Sequence, residues 1–291
     1  MRPPHYADGV AIDLHTHSTA SDGTEPPAVV VEQAARAGVR TIALTDHDST
    51  LGWDEAAAEA RARGITLVPG IEVSCSRRWQ SIHLLAYLPD PHHPGLVAEL
   101  EHARDSRETR LDRMVARMAA DGIPVTVEAV WAQVEEGATA GRPHIADALV
   151  ASGVVADRDE AFRRWLGNRS PYYVSHYAPD PVRAVELVRA AGGVPVVAHP
   201  WSALRGKVVS DTLVEELAAA GLVGLEVHHR DHGADAVRHL TDLARGLGLL
   251  VTGSSDYHGN GKQNRLGENT TTPEVLEAIE GLATGTPVVR P

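Results

Sequence analysis

Seven short apolar runs recur along the chain, and most of them are followed by a turn and then by a segment with helical spacing. They are VAIDLH (10–15), VRTIALTD (39–46), ITLVPGIEVS (65–74), SIHLLAYL (81–88), VPVVAH (194–199), LVGLEVHH (222–229) and LLVTGSS (249–255). Near-continuous apolar strands that alternate with helices are typical of parallel β/α units. Seven such units predict an α/β fold whose strands close, or nearly close, into a barrel.

The stretch from about residue 96 to 175 breaks this rhythm. It is charged, helix-rich and poor in strands, as in VEAVWAQVEEG and HIADALVASG. We predict that it is a helical insertion after the fourth strand. The barrel is then formed by 10–95 and 176–291, and the insertion over 96–175 caps the rim of the barrel.

Residue types that bind metals stand at the end of nearly every apolar run. His15 and His17 end the first run, and Asp256 and His258 repeat the same spacing after the last one. Alternate residues of a strand share a face, so His15 and His17 can point to one ion. The carboxyl ends of parallel barrel strands lie at one rim. The pattern predicts ligands there from His15, His17, Asp22, His47, Glu72, His83, His199, Asp256 and His258.

Composition narrows the chemistry of this site. The 291 residues include one cysteine, Cys75, so metals must be held by histidine and carboxylate, which suits Mn²⁺, Fe²⁺ or Zn²⁺. A single cysteine also fits a reducing compartment, and we expect a cytoplasmic protein. No signal peptide and no apolar run of about 18 residues is found, so no membrane span is expected. The net charge of −12 argues against nonspecific binding to nucleic-acid backbone.

The order of these residues resembles the PHP (polymerase and histidinol phosphatase) domain family. The pattern is HxH, a following Asp, DH, Glu, His, H-P and DxH, over about 10–105 and 175–270. The resemblance implies a distorted (β/α)7 barrel with two or three divalent ions. It implies a first ion at His15, His17, Glu72 and Asp256, a second at Glu72, His83 and His199, and a third at Asp22, His47 and His258. A catalytic hydroxide would be held by Glu72, His83 and His199.

Two motifs of the insertion narrow the resemblance to one subgroup of the family. GRPHIADALV (141–150) and SPYYVSH (170–176) are similar to small PHP phosphoesterases that act on nucleotides, namely 3',5'-nucleoside bisphosphate phosphatases and 5'-3' exoribonucleases. The resemblance implies that Arg142 and His144 hold a substrate phosphate. His232 is a further substrate-binding candidate by its position after the sixth strand. The expected partners are a small phosphorylated nucleotide and short RNA, with no obligatory protein partner.

Several alternatives stay open at this point. The substrate could be another small phosphomonoester such as histidinol phosphate, or the chain could be a non-catalytic metal-binding PHP module. Asp46 could orient a histidine or cap a turn. Arg142 could be a solvated residue at a helix end. Tyr172 and Tyr173 could stack on a base or join the insertion to the barrel.

Overall fold

Seven strands form one sheet in the computed structural model, which describes residues 11–78, 80–203 and 207–291, without the side chain of Lys207. The sheet order is β1-β2-β3-β4-β5-β8-β9. These strands are β1 (Ala11–Asp13), β2 (Val39–Leu44), β3 (Thr66–Arg77), β4 (Gln80–Tyr87), β5 (Val194–Val197), β8 (Gly224–His228) and β9 (Leu250–Gly253). Five of them lie within the predicted apolar runs, whereas β3 extends three residues beyond its run and β4 begins one residue before its run. Residue 10, where the first run begins, lies outside the described residues. The short strands β6 (Trp201–Ser202) and β7 (Lys207–Val208) pair separately.

The direction of the fourth strand differs from the prediction of parallel units throughout. β4 runs antiparallel to both β3 and β5, whereas the other neighbouring strands of the sheet pair in parallel. β3 ends at Arg77 and β4 begins at Gln80, and so short a connection cannot hold a crossover helix. The prediction that His83 stands at a carboxyl strand end is therefore wrong. His83 reaches the rim from the first half of β4, opposite Ser74.

The loops after the two edge strands, β1 and β9, are joined to each other. Thr16 forms a parallel bridge with Tyr257, and the backbone N–H of His17 donates to Tyr257 O at 2.8 Å. The Asp13 carboxylate also accepts from the backbone N–H of Ser255 at 2.9 Å. These contacts bring the first and last strands of the sheet together at the rim. Complete closure of the barrel stays a prediction.

Helices pack around the sheet in the predicted alternation. They are α1 (Pro27–Arg36), α2 (Trp53–Arg63), α7 (Pro181–Ala190), α8 (Asp211–Ala219), α9 (Ala234–Leu247) and α10 (Pro273–Leu282). α2 and α9 end at Gly64 and Gly248, both in the left-handed conformation that glycine adopts without steric cost. The buried faces of α7, α8 and α9 join β3 and β4 in the largest apolar cluster.

Between β4 and α7 the chain is helical. It forms α3 (Pro94–Ala120), α4 (Val127–Trp131), α5 (Arg142–Ala151), α6 (Arg158–Ala161) and a π-helical turn (Phe162–Leu166). These elements share an apolar cluster of their own, which includes Met114, Met118 and Leu149. The start of α3 is different, because Leu96 and Leu100 pack in the cluster around the sheet. The domain bounds 10–95, 96–175 and 176–291 stay predictions. Among the described residues, no helix combines the length and the apolarity needed to cross a membrane.

Candidate metal centre

All nine predicted ligands converge at the rim. The loop after β1 brings His15, His17 and Asp22, and the loop after β2 brings His47. Strands β3 and β4 bring Glu72 and His83. The loop after β5 brings His199, and the loop after β9 brings Asp256 and His258. Their side chains are between 0 and 14% exposed: His15, His17, Asp22, His47, Glu72, His83, His199, Asp256 and His258.

Glu72 lies at the middle of this cluster. Its Oε2 is 3.2 Å from His15 Nε2, 3.0 Å from His17 Nε2 and 3.3 Å from His47 Nδ1. Its Oε1 is 2.6 Å from His83 Nδ1 and 3.0 Å from His199 Nε2. Five imidazoles thus surround one buried carboxylate, which can accept about four hydrogen bonds.

Three groups of side chains are compact enough to hold an ion. They are His15, His17, Glu72 and Asp256; His17, Asp22 and His258; and His47, Glu72 and His83. The first is the set that the resemblance implied. In the second group, His17 stands where the resemblance implied His47. In the third group, His47 stands where the resemblance implied His199. The nine residues are brought together as expected, and their division among ions stays a prediction.

The carboxylates of the cluster have lowered pKa values although they are buried. Burial alone would raise the pKa of Glu72, but His47, His83 and His15 hold it well below its ordinary value. Burial would also raise the pKa of Asp22 and of Asp256. His258 lowers the pKa of Asp22 below its ordinary value, and Lys262 lowers that of Asp256. Negative charge is therefore fixed at the rim, as cation binding requires.

Three of the histidines are held neutral. Burial lowers the pKa of His47 to about 3, and of His199 and His258 to about 4. His15 differs, because Glu72, Glu226 and Asp256 outweigh its burial and raise its pKa. Neutral imidazoles carry a lone pair, so three of these rings are ready to coordinate a metal at neutral pH.

The donor set fits divalent ions. Asp22 Oδ1, His47 Nδ1 and His258 Nε2 are buried and form no hydrogen bond among the described residues, although His258 Nε2 lies 3.2 Å from Asp22 Oδ1 and His47 Nδ1 lies 3.3 Å from Glu72 Oε2. Buried polar atoms are normally satisfied, so a cation is the partner that these atoms call for. Nitrogen and oxygen donors without thiolate suit Mn²⁺, Fe²⁺ or Zn²⁺. Which ions are bound, and whether there are two or three, stays a prediction.

The backbone is unusual at this rim. His199 (φ 30°) and Asp256 (φ 54°) adopt positive φ angles, as does Asp48 (φ 51°) beside His47. Non-glycine residues adopt this region at a steric cost, and such strain clusters at functional sites. The loops hold these side chains in place against that cost.

Two residues at the centre were missed in the sequence. Glu226 is fully buried and accepts from His15 Nδ1 at 3.0 Å, from the backbone N–H of His199 at 2.6 Å, and from the Ser254 hydroxyl. A glutamate within the apolar run LVGLEVHH was the signal that could have identified it. Lys262 is the other, and its Nζ lies 2.8 Å from Asp256 Oδ2.

Asp46 makes buried hydrogen bonds to the loop after β1. Its carboxylate accepts from the backbone N–H and the hydroxyl of Ser18, at 2.8 and 2.6 Å, and from the Ser21 hydroxyl at 2.6 Å. Asp46 therefore fixes the loop that leads to Asp22, and the two predicted roles, orienting a histidine and capping the turn that follows it, stay predictions.

The three predicted substrate-binding residues lie in different surroundings. Arg142 begins α5 and donates through Nη1 to Leu166 O at 2.7 Å and Asn168 Oδ1 at 2.8 Å. His144 is buried and accepts from its own N-cap, Gly141 N. Both ring nitrogens of His232 bond the backbone, one with Val227 O and one with Trp201 N. The substrate roles of all three stay predictions.

Comparison with known proteins agrees with this geometry. Residues 13–127 match the model of the PHP domain. A 3',5'-nucleoside bisphosphate phosphatase from Chromobacterium violaceum is 36% identical, over 92% of this chain and 94% of its own. The chain belongs to the PHP family.

Two further relatives match this chain over most of its length. A 5'-3' exoribonuclease from Haemophilus influenzae is 34% identical, over 84% of this chain and 89% of its own. A crystal structure from Bifidobacterium adolescentis, assigned as a metal-dependent phosphoesterase, superposes with a TM-score of 0.91 at 39% identity, covering 97% of this chain and 98% of that one. This PHP chain is thus a metal-dependent phosphoesterase, and its subgroup is that of the bisphosphate phosphatase and the exoribonuclease.

Proposed function

We propose that this PHP enzyme hydrolyses a phosphomonoester of a small nucleotide. The substrate is a 3',5'-bisphosphate such as adenosine 3',5'-bisphosphate, or a nucleoside monophosphate, and short oligoribonucleotides enter from the 5' end. The observation that carries the proposal is the buried cluster around Glu72, in which nine nitrogen- and oxygen-donating side chains meet at one rim. The activities of the relatives supply the nucleotide class.

The residues of the centre have separable tasks. Ions held by the nine side chains would acidify a bound water and offset the charge of a phosphate group. Glu72 stays ionised and can serve two ions, because its two oxygens face different imidazoles. Burial of the cluster keeps bulk water out and strengthens each electrostatic contact.

The attacking water is proposed to lie beside Glu72, His83 and His199. These side chains meet at Glu72 Oε1, which is 2.6 Å from one imidazole and 3.0 Å from the other. Arg142 and His144 are proposed to hold the substrate phosphate, because a guanidinium makes paired hydrogen bonds to phosphate oxygens. His232 would need to release a backbone hydrogen bond before it could do the same.

Two alternatives remain distinct from this proposal. A phosphatase for another phosphomonoester, such as histidinol phosphate, would use the same metal centre without the insertion. A non-catalytic PHP module would keep metals for structure alone. The complete set of ligand residues argues against the second alternative.

Phosphate release by the Mn²⁺-loaded enzyme tests the proposal. The panel is adenosine 3',5'-bisphosphate, 5'-AMP, 3'-AMP, histidinol phosphate and a short 5'-phosphorylated RNA. We expect turnover of the nucleotides, its loss in Glu72→Gln, and full activity in Glu186→Gln, a control at an exposed residue of α7. Turnover of histidinol phosphate alone would favour the first alternative, and a metal-loaded protein with no turnover would favour the second.

A further inference from the structure

The loop after β8 places a histidine between two predicted metal ligands. His229 is 3% exposed. The centre of its ring lies 5.4 Å from that of His199, and its Nε2 atom lies 3.5 Å from Asp256 Oδ2. The resemblance assigned His199 and Asp256 to different ions and gave His229 no role. His229 therefore lies where the ligands of two ions meet.

The turn that follows β8 fixes the proton of the His229 ring. Its Nδ1 accepts a hydrogen bond from the backbone N–H of Asp231 at 3.0 Å. The His229 carbonyl accepts from the backbone N–H of His232, also at 3.0 Å, so the same turn holds the ring and the main chain. A ring nitrogen that accepts from an N–H has no proton of its own. The ring is therefore neutral, and its proton lies on Nε2, which makes that atom a donor.

This donor has no acceptor at an ordinary distance. His229 Nε2 is buried and forms no hydrogen bond with the parts of the chain that the structure describes. Asp256 Oδ2, at 3.5 Å, lies beyond the usual range of about 2.7–3.2 Å, and it accepts from Lys262 Nζ at 2.8 Å. Native structures rarely leave a buried donor without an acceptor, because its desolvation is then uncompensated. The acceptor that His229 requires has to come from outside the chain.

The other histidine of this turn has both ring nitrogens engaged. His232 Nε2 accepts from the backbone N–H of Trp201 at 3.1 Å, so its Nδ1 has the proton and donates to Val227 O at 2.8 Å. His232 can bind a substrate only after one of these bonds is broken. His229 has a donor available without such a loss, and that donor faces the metal ligands.

We propose that His229 Nε2 donates a hydrogen bond to an oxygen of the phosphate group that is hydrolysed. The proposal rests on the proposed function, in which that phosphate lies at the metal centre. A neutral donor fixed by the backbone stabilises the charge that develops on the phosphoryl oxygens, and it needs no reorientation during the reaction. The reacting phosphate is common to all substrates, so the contact should contribute equally to each of them.

Two simpler roles compete with this one. His229 could be a tenth metal ligand through Nε2, and its loss would then weaken metal binding. It could instead be a structural residue that only closes the turn through Nδ1, and the donor would then have no function. Two amides separate these roles, because the asparagine amide reaches the position of Nδ1 and the glutamine amide reaches that of Nε2. His229→Asn thus keeps an acceptor for the turn and removes the donor, whereas His229→Gln keeps the donor.

Binding of inorganic phosphate, the reaction product, tests the donor without turnover. Titration calorimetry is performed on the Zn²⁺-loaded protein and its variants. We expect His229→Asn to weaken phosphate binding by about 10- to 100-fold, the effect of one hydrogen bond to a charged group. His229→Gln should retain most of the affinity. His228→Asn, the same change at the exposed neighbour on the opposite face of the strand, should retain all of it. Equal phosphate affinity in His229→Asn and the wild type would overturn the proposal.

Two further measurements distinguish a donor from a ligand. In competition with a chelator, His229→Asn should bind Zn²⁺ as the wild type does, and weaker binding would overturn the proposal by identifying His229 as a ligand. Ring-nitrogen NMR of the Zn²⁺-loaded wild type needs no variant, so it decides even if His229→Asn does not fold. The His229 Nε2 resonance should be that of a protonated nitrogen and should move when phosphate is added. An unprotonated Nε2, or one that phosphate leaves unmoved, would contradict the donor role.

Kinetics then assign the donor to the reacting phosphate. His229→Asn should lower kcat/KM by the same factor, about 10- to 100-fold, for adenosine 3',5'-bisphosphate, 5'-AMP and 3'-AMP, and His229→Gln should retain most of the activity. A loss confined to one substrate would overturn this assignment while leaving the proposed function intact. If the wild type turns over no substrate, the proposed function fails, and phosphate binding and the NMR spectrum still decide whether His229 is a donor.

Discussion

Replacing Glu226 by glutamine should weaken metal binding, although Glu226 is not one of the predicted ligands. Its carboxylate accepts from His15 Nδ1 at 3.0 Å and from the backbone N–H of His199 at 2.6 Å. The first bond leaves His15 Nε2 directed at Glu72, 3.2 Å away. The second holds the strained loop of His199. Glu226 thus positions two members of the centre.

The size of the effect follows from these bonds. Burial would raise the pKa of Glu226, but His15 and its neighbours lower it to about 2, so the group is ionised. Glutamine keeps one oxygen and turns the other acceptor into a donor, so at least one buried N–H loses its partner. A hydrogen bond to a charged group contributes about 1.5–3 kcal/mol, which corresponds to about 10- to 150-fold in affinity. Outer carboxylate partners of metal-binding histidines have effects of about 10- to 100-fold.

Competition with a chromogenic chelator measures this loss for Mn²⁺ or Zn²⁺. Glu186→Gln serves as the matched control, because Glu186 is exposed on α7. Thermal unfolding of the metal-free variants, run in parallel, separates positioning from general stability. Wild-type metal affinity in Glu226→Gln would refute the reasoning, even if the variant were less stable.

Three further outcomes are expected. Chelation should lower the Tm measured by calorimetry, because the buried carboxylates and imidazoles then lack their cations; an unchanged Tm would count against the metal centre. The metal-free protein should lose stability to urea as the pH falls from about 6.5 to about 4. Burial lowers the pKa of His47, His199 and His258 in the fold, so unfolding takes up protons in that window; a flat pH profile would contradict this. Lys262→Met should destabilise the metal-free protein by about 1–3 kcal/mol, since the buried Asp256 carboxylate loses a hydrogen bond from a partly exposed ammonium group. The same change should tighten metal binding, because a competing cation is removed, and weaker binding would contradict that role.

The strands were predictable because each is a near-continuous apolar run with a turn after it. Their direction was not, since apolar periodicity is the same for parallel and antiparallel strands. The gap between Arg77 and Gln80 carried the missing information, because a parallel neighbour needs a crossover of a dozen or more residues. Connection length, rather than pattern, distinguishes β4 from the other six strands.

The ligand residues were predictable because histidines and acids at strand ends are unusual among apolar runs. Their division among ions was not, because spacing along a strand gives no distance between strands. His17 and His47 illustrate this, since His17 belongs to a second group as well as the expected one, and His47 groups with Glu72 and His83 instead of Asp22 and His258. Glu226 was missed because its partner, His15, is 211 positions away, and only the register of the folded sheet brings them together.

The insertion is fastened to the metal rim at two places, and this bears on substrate selection. Arg107 pairs with Asp48, which follows His47, and the side chain of Arg158 donates to the backbone oxygen of Asp22 at 2.8 Å. Both contacts fall on loops that carry predicted ligands, so the position of the insertion is tied to the metal centre. The proposed phosphate-binding residues Arg142 and His144 lie in the first turn of α5 within this insertion, so the protein sets their distance from the metal centre. Selectivity should therefore depend on whether the phosphate of a substrate can reach both the metal centre and these residues, more than on the base.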